Sequence, residues 1–92
     1  MTAEHVPGRD AGQVMLYALS TCVWCKKTRH LLDELGVAYT CEYVDLLDGS
    51  EKARTMNIVH KWNPQGGFPT LMIRGNVIVG FQESAIREAL KA

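Results

Sequence analysis

The chain is 92 residues long, which suits one domain, because an independent core needs about 50 residues or more. Apolar residues make up 47% of it, enough for a single core, and ten Lys and Arg balance ten Asp and Glu to a formal net charge of zero. That balance argues against a broad nucleic-acid surface, and no apolar run approaches the roughly 20 residues of a membrane helix.

From the N-terminus, Met1 to Gln13 carries Pro7, Gly8 and Gly12 without periodicity and without the apolar stretch of a signal peptide, so a flexible leader is expected over 1–13 and a folded domain over 14–92. Val14-Met15-Leu16-Tyr17-Ala18 is a short apolar run that fits a strand buried on both faces. Ser20, Thr21 and Cys22 follow as helix-capping candidates. From Val23 the pattern turns helical, with Cys25, Thr28, Leu31, Leu32 and Leu35 at three- and four-residue steps and Gly36 as the stop. Val37 to Val44, rich in β-branched and aromatic residues, reads as a second strand.

Asp48-Gly49-Ser50-Glu51 opens a second helix, capped by Asp48 or Ser50, that must end by Asn63-Pro64. Trp62 is expected to pack the end of this helix. Thr70–Ile73 and Val77–Val79 are two apolar strands separated by Arg74-Gly75-Asn76, the spacing of a tight antiparallel hairpin. Ser84 to Leu90 closes the chain as a helix. The order β-α-β-α-β-β-α predicts an α/β fold with a four-stranded mixed sheet flanked by helices on both faces, its first crossover right-handed.

Three cysteines decide the chemistry. Secreted mini-domains usually show an even set of four or more, whereas here Cys22 and Cys25 form one C-x-x-C and Cys41 stands alone. A structural zinc site needs four ligands, and Cys41, His5, His30 and His60 are scattered without ligand spacing, so no metal is expected. Cys22 falls where the first strand meets the first helix, where unpaired N–H groups and the helix dipole favour a thiolate, and Lys26 and Lys27 add positive charge. Cys25, one turn on, is placed to attack a mixed disulfide on Cys22. Cys41, mid-strand among apolar neighbours, reads as inert core.

Phe68-Pro69-Thr70 puts a proline at a strand start, and beside a C-x-x-C it suggests a cis bond that would present the Phe68 backbone to an extended substrate. Gly80-Phe81-Gln82, before the last helix, has two readings: a backbone site for a carboxylate, or a turn in which Phe81 closes the core. Val23 and Trp24, inside the C-x-x-C, are candidates for partner contact.

With Thr21-Cys22-Val23-Trp24-Cys25-Lys26, Phe68-Pro69-Thr70 and Gly80-Phe81 in hand, the chain from about Val14 to Leu90 resembles the glutaredoxin-like, thioredoxin-fold disulfide oxidoreductases of bacteria and archaea. The resemblance implies that Cys22 is the nucleophile, Cys25 the resolving thiol and Pro69 the cis-proline. It further implies a cytoplasmic, monomeric electron carrier without a tightly bound cofactor, acting on protein disulfides. Glutathione-using members commonly carry Cys-Pro-Tyr-Cys, whereas the Val after Cys22 and the Gly80-Phe81 pair are closer to the NrdH-type hydrogen donors. Glutathione and thioredoxin reductase are therefore both candidate electron sources. An iron–sulfur carrier, with Cys22 ligating a shared cluster, is the alternative of a different class.

Overall fold

The computed structural model describes residues 3–91. In chain order these form β1 (Glu4–Val6), β2 (Val14–Ala18), α1 (Val23–Leu35), β3 (Tyr39–Tyr43), a single 3-10 turn (Val44–Leu46), α2 (Gly49–Trp62), β4 (Thr70–Ile73), β5 (Asn76–Val79) and α3 (Glu83–Ala89). The sheet runs β1-β3-β2-β4-β5. β2 pairs parallel with β3 and antiparallel with β4, so the mixed sheet read from the sequence is present at its centre.

Alternation along the central strand divides the interior. Val14, Leu16 and Ala18 join Cys25, Leu31 and Leu32 of α1 and Ile86 of α3 in the main core, with Cys41 of β3 and Leu71 and Ile73 of β4. Tyr17 points the other way, where it meets Val44 and Val59, with Met15, Met56, Phe68 and Met72 packed around them. Helices α1 and α3 therefore cover one face and α2 the other. An apolar run without polar alternation is what a strand covered on both faces requires. Gly36 ends α1 in the left-handed region, its N–H donating to the Leu32 and Asp33 carbonyls at 3.1 Å.

The sheet has five strands rather than the four expected. The extra one lies in the expected leader, of which residues 1 and 2 are outside the described residues. Glu4, His5 and Val6 pair antiparallel with Cys41, Thr40 and Tyr39. Arg29 of α1 reaches over to Glu4 with Nη1–Oε1 at 3.2 Å and Nη2–Oε2 at 3.1 Å, and His5 Nδ1 bonds Thr40 Oγ1 at 2.8 Å. Beyond the strand, Arg9 N–H donates to the Gly36 carbonyl at 2.7 Å and Ala38 N–H to the Arg9 carbonyl at 2.9 Å. Three residues are too few to display a two-residue period, and Glu4 and Arg9 look solvated until their partners are known.

The hairpin also closes more tightly than expected. Ile73 pairs with Asn76, leaving Arg74 and Gly75 as a two-residue turn with φ of 50° and 86°. Two successive positive φ values match the twist of the flanking strands.

Candidate active site

At the C-terminal end of β2 the chain makes a turn in which the Cys22 N–H donates to the Leu19 carbonyl at 3.2 Å, and α1 begins immediately after it. Cys22 is the N-cap, extended at φ −90° and ψ 122°, and its Sγ accepts the Cys25 N–H at 3.2 Å. Of the three capping candidates Ser20, Thr21 and Cys22, the cap is thus the sulfur of Cys22. A thiol that accepts a helix-start N–H lies in the field of the helix dipole. Likewise no side chain caps α2, although Asp48 occupies its N-cap.

The two thiols differ in access. Cys22 is half-buried, whereas Cys25 is 1% exposed. Burial, and after it the hydrogen bond with Cys22, pushes the Cys25 thiol up to about 12, with the Leu19 backbone pulling the other way. Cys41 is fully buried in the main core, where burial pushes its thiol up as well.

Trp24, between the two cysteines in the chain, shares a cleft with the loop before β4. The Phe68–Pro69 peptide is cis and Pro69 is buried. Asn63 Nδ2 donates to the Gly67 carbonyl and to Thr70 Oγ1, both at 3.1 Å, and the Thr70 hydroxyl donates to the Gly67 carbonyl at 2.6 Å. Gly80, at φ +80°, donates its N–H to the Pro69 carbonyl at 2.9 Å, which brings the end of β5 against the proline.

Trp24, Phe68, Pro69, Gly80 and Phe81 line a cleft of about 280 Å³. Trp24 is 55% exposed and stacks on Phe81, while Lys27 Nζ sits 5.0 Å from the centre of the Trp24 ring. Cys22, Phe68 and Phe81 all pack against the main core, so the capping thiol and the aromatic wall share one support. Five residues picked from the sequence therefore meet in one cleft. Others do not line it: Val23 is 62% exposed, and Thr21 and Lys26 are exposed on the surface around the helix start. Gln82 turns its amide back onto the Val79 carbonyl at 2.6 Å. Trp62 is half-buried as the last residue of α2. A larger hollow of about 400 Å³ lies at the other end of the sheet, among His5, Val14 and Tyr39.

Sequence reading missed Asn63 with Thr70, Lys27 over Trp24, and Ser20 with Asp45. Only the last had a signal: parallel strands set the residues that follow each of them side by side. Among the described residues no three His, Cys, Asp or Glu side chains form a metal-binding group, and no helix is long and apolar enough to cross a membrane.

The glutaredoxin family profile matches residues 14–78. The chain is similar to a glutaredoxin-like protein from the rubredoxin operon of Clostridium pasteurianum, at 31% identity over 78 residues, covering 85% of this chain and 97% of that one. Among solved structures it is similar to the glutaredoxin of Methanosarcina mazei Go1, with TM-score 0.91, 47% identity, and coverage of 100% and 90% of the two chains. It is also similar to the methanoredoxin of Methanosarcina acetivorans, with TM-score 0.88, 48% identity, and coverage of 92% and 90%. With its Cys22–Cys25 pair on the thioredoxin-like fold, the chain is a thiol–disulfide oxidoreductase and belongs to the glutaredoxin family.

Proposed function

We propose that the protein reduces protein disulfides, with Cys22 as the attacking and Cys25 as the resolving thiol. The observation that carries this reading is the asymmetry of the pair: an accessible sulfur at the N-cap of α1, bonded by the N–H of a sealed cysteine one turn on. The Cys22 thiolate attacks one sulfur of the substrate disulfide, forming a mixed disulfide and releasing one substrate thiol. Cys25 then gives up its proton and attacks Cys22 Sγ, which forms the Cys22–Cys25 disulfide and releases the second substrate thiol. Two electrons pass from the dithiol to the substrate. A Cys25 thiol held neutral by burial stays idle until a mixed disulfide is presented to it.

Glutaredoxins in general work without a bound cofactor and take glutathione or thioredoxin-type reductants. In this chain the cleft lining of Trp24, Phe68, Pro69, Gly80 and Phe81 is apolar, with Lys27 over the ring of Trp24 at its edge, and the Gln82 amide is occupied by Val79. Those features favour an apolar stretch of a protein substrate and a flavin reductase as electron source. NADPH loss coupled to the oxidised protein tests this directly. Turnover is expected with thioredoxin reductase alone, and Cys22→Ser abolishes it. Turnover with glutathione and its reductase only would reverse the assignment of the electron source and leave the roles of the two cysteines intact.

A further inference from the structure

The parallel pairing of β2 and β3 sets Ala18 beside Tyr43, so the segments leaving the two strands emerge together at the end of the sheet that carries Cys22. Ser20 and Asp45 meet there. The Ser20 N–H donates to Asp45 Oδ1 at 2.9 Å and the Ser20 hydroxyl donates to Oδ2 at 2.5 Å. Both oxygens of one carboxylate thus hold one residue, through bonds that the negative charge strengthens. The Ser20 hydroxyl, then its amide, and less strongly Lys52 of α2 keep the Asp45 carboxyl below its ordinary range.

Ser20 lies inside the turn that the Cys22 N–H closes onto the Leu19 carbonyl. That turn leads directly into the redox pair: Cys22 is its last residue, and the Cys22 sulfur accepts the Cys25 N–H at 3.2 Å. Its residues are half-buried apart from the exposed Thr21 and lie outside the strands, and the 3-10 segment Val44–Leu46, which carries Asp45, ties the turn to the end of β3.

We propose that Asp45 is a positioning residue for the redox pair, fixing through Ser20 the turn that sets the relative placement of the Cys22 and Cys25 sulfurs. The inference rests on the reading of Cys22 and Cys25 as the redox couple. Asp45 touches neither sulfur. It acts because exchange between sulfurs depends on alignment, and small displacements of reacting groups are costly in rate.

The test uses the full chain and four variants, Ser20→Ala, Ser20→Thr, Asp45→Ala and the double variant Ser20→Ala/Asp45→Ala, with Cys22→Ser as control. The readouts are the rate of model-disulfide reduction and the equilibrium between dithiol and disulfide, titrated in dithiothreitol buffers and counted by alkylation. Asp45→Ala, which loses both bonds, is expected to slow reduction by up to about tenfold, and Ser20→Ala, which loses one, by less. The double variant matches Asp45→Ala, Ser20→Thr restores the rate, and the dithiol–disulfide equilibrium moves in the slow variants. Wild-type rates and equilibrium in Ser20→Ala and Asp45→Ala, additive losses in the double variant, or no rescue by threonine would each overturn the proposal. Should Asp45→Ala fail to fold, Ser20→Ala against Ser20→Thr decides it. If Cys22→Ser is inactive while the Ser20 and Asp45 variants behave as wild type, the positioning role alone falls. An active Cys22→Ser would overturn the redox assignment itself.

Discussion

Trp24 and Phe81 stack with ring centroids 6.1 Å apart and planes inclined by 25°. The contact ties the first turn of α1 to the turn before α3, two segments 57 positions apart in the sequence, and it builds one wall of the cleft beside the cysteines. Because Trp24 remains 55% exposed, the stack leaves an apolar face for a partner. Trp24→Ala is expected to raise KM for a protein disulfide several-fold and to leave kcat close to wild type. Phe81→Ala has the same effect, and the two couple by about 0.5–1.5 kcal/mol in a double-mutant cycle. Steady-state kinetics with a reduced protein substrate check this. A loss confined to kcat would show that the stack serves the sulfur chemistry instead.

The Cys25 thiol, raised by burial from 9.0 to about 12, makes the stability of the reduced protein depend on pH. A folded-state value above the unfolded one means that the native state keeps its proton where the unfolded chain has lost it. The contribution is therefore complete below pH 9 and declines as pH rises toward about 12. Tyr39, pushed up to about 12 chiefly by burial, and Cys41 and Tyr17, also raised chiefly by burial, act in the same direction. Urea unfolding of the reduced protein at about pH 8 and about pH 11 should show a marked loss of stability. In Cys25→Ser, which lacks the thiol, the loss is smaller but not abolished. An equal loss in both proteins would remove Cys25 from the account.

Gly80 has φ +80°, and a Cβ built on it meets no atom within 4 Å. The cost of a side chain there is purely one of backbone conformation, about 1–2 kcal/mol for Ala, with Asn tolerated better. At Gly66, also at positive φ, a Cβ would run into the His60 ring, so substitution there carries a steric cost as well. Chemical denaturation of Gly80→Ala and Gly80→Asn should show that order of stabilities. A Gly80→Ala protein as stable as wild type would contradict the conformational argument.

Elements with a repeating chemical pattern were legible in the sequence. Val14–Ala18, apolar at every position, fitted a strand covered on both faces, and α1 announced its buried side through Cys25, Thr28, Leu31 and Leu32. The cleft was legible because cysteine, proline and glycine constrain chemistry or backbone by residue type alone. What escaped depends on partners distant in the chain. Glu4–Val6 becomes a strand through β3 and Arg29, and Ser20 bonds Asp45, 25 residues later, while Cys22 caps α1. Asn63 and Thr70 looked like a helix end and a strand start, and only the folded loop joins them beneath the proline.

The central claim is that Cys22 attacks and Cys25 resolves. Reduced Cys25→Ser protein mixed with a protein disulfide, in the absence of glutathione, and analysed by intact mass and peptide mapping tests it most directly. The account predicts a stable mixed disulfide on Cys22 that wild type does not accumulate, and no adduct in Cys22→Ser. Full dithiol turnover by Cys25→Ser without an adduct, or an adduct on Cys25 in the Cys22→Ser protein, would contradict it.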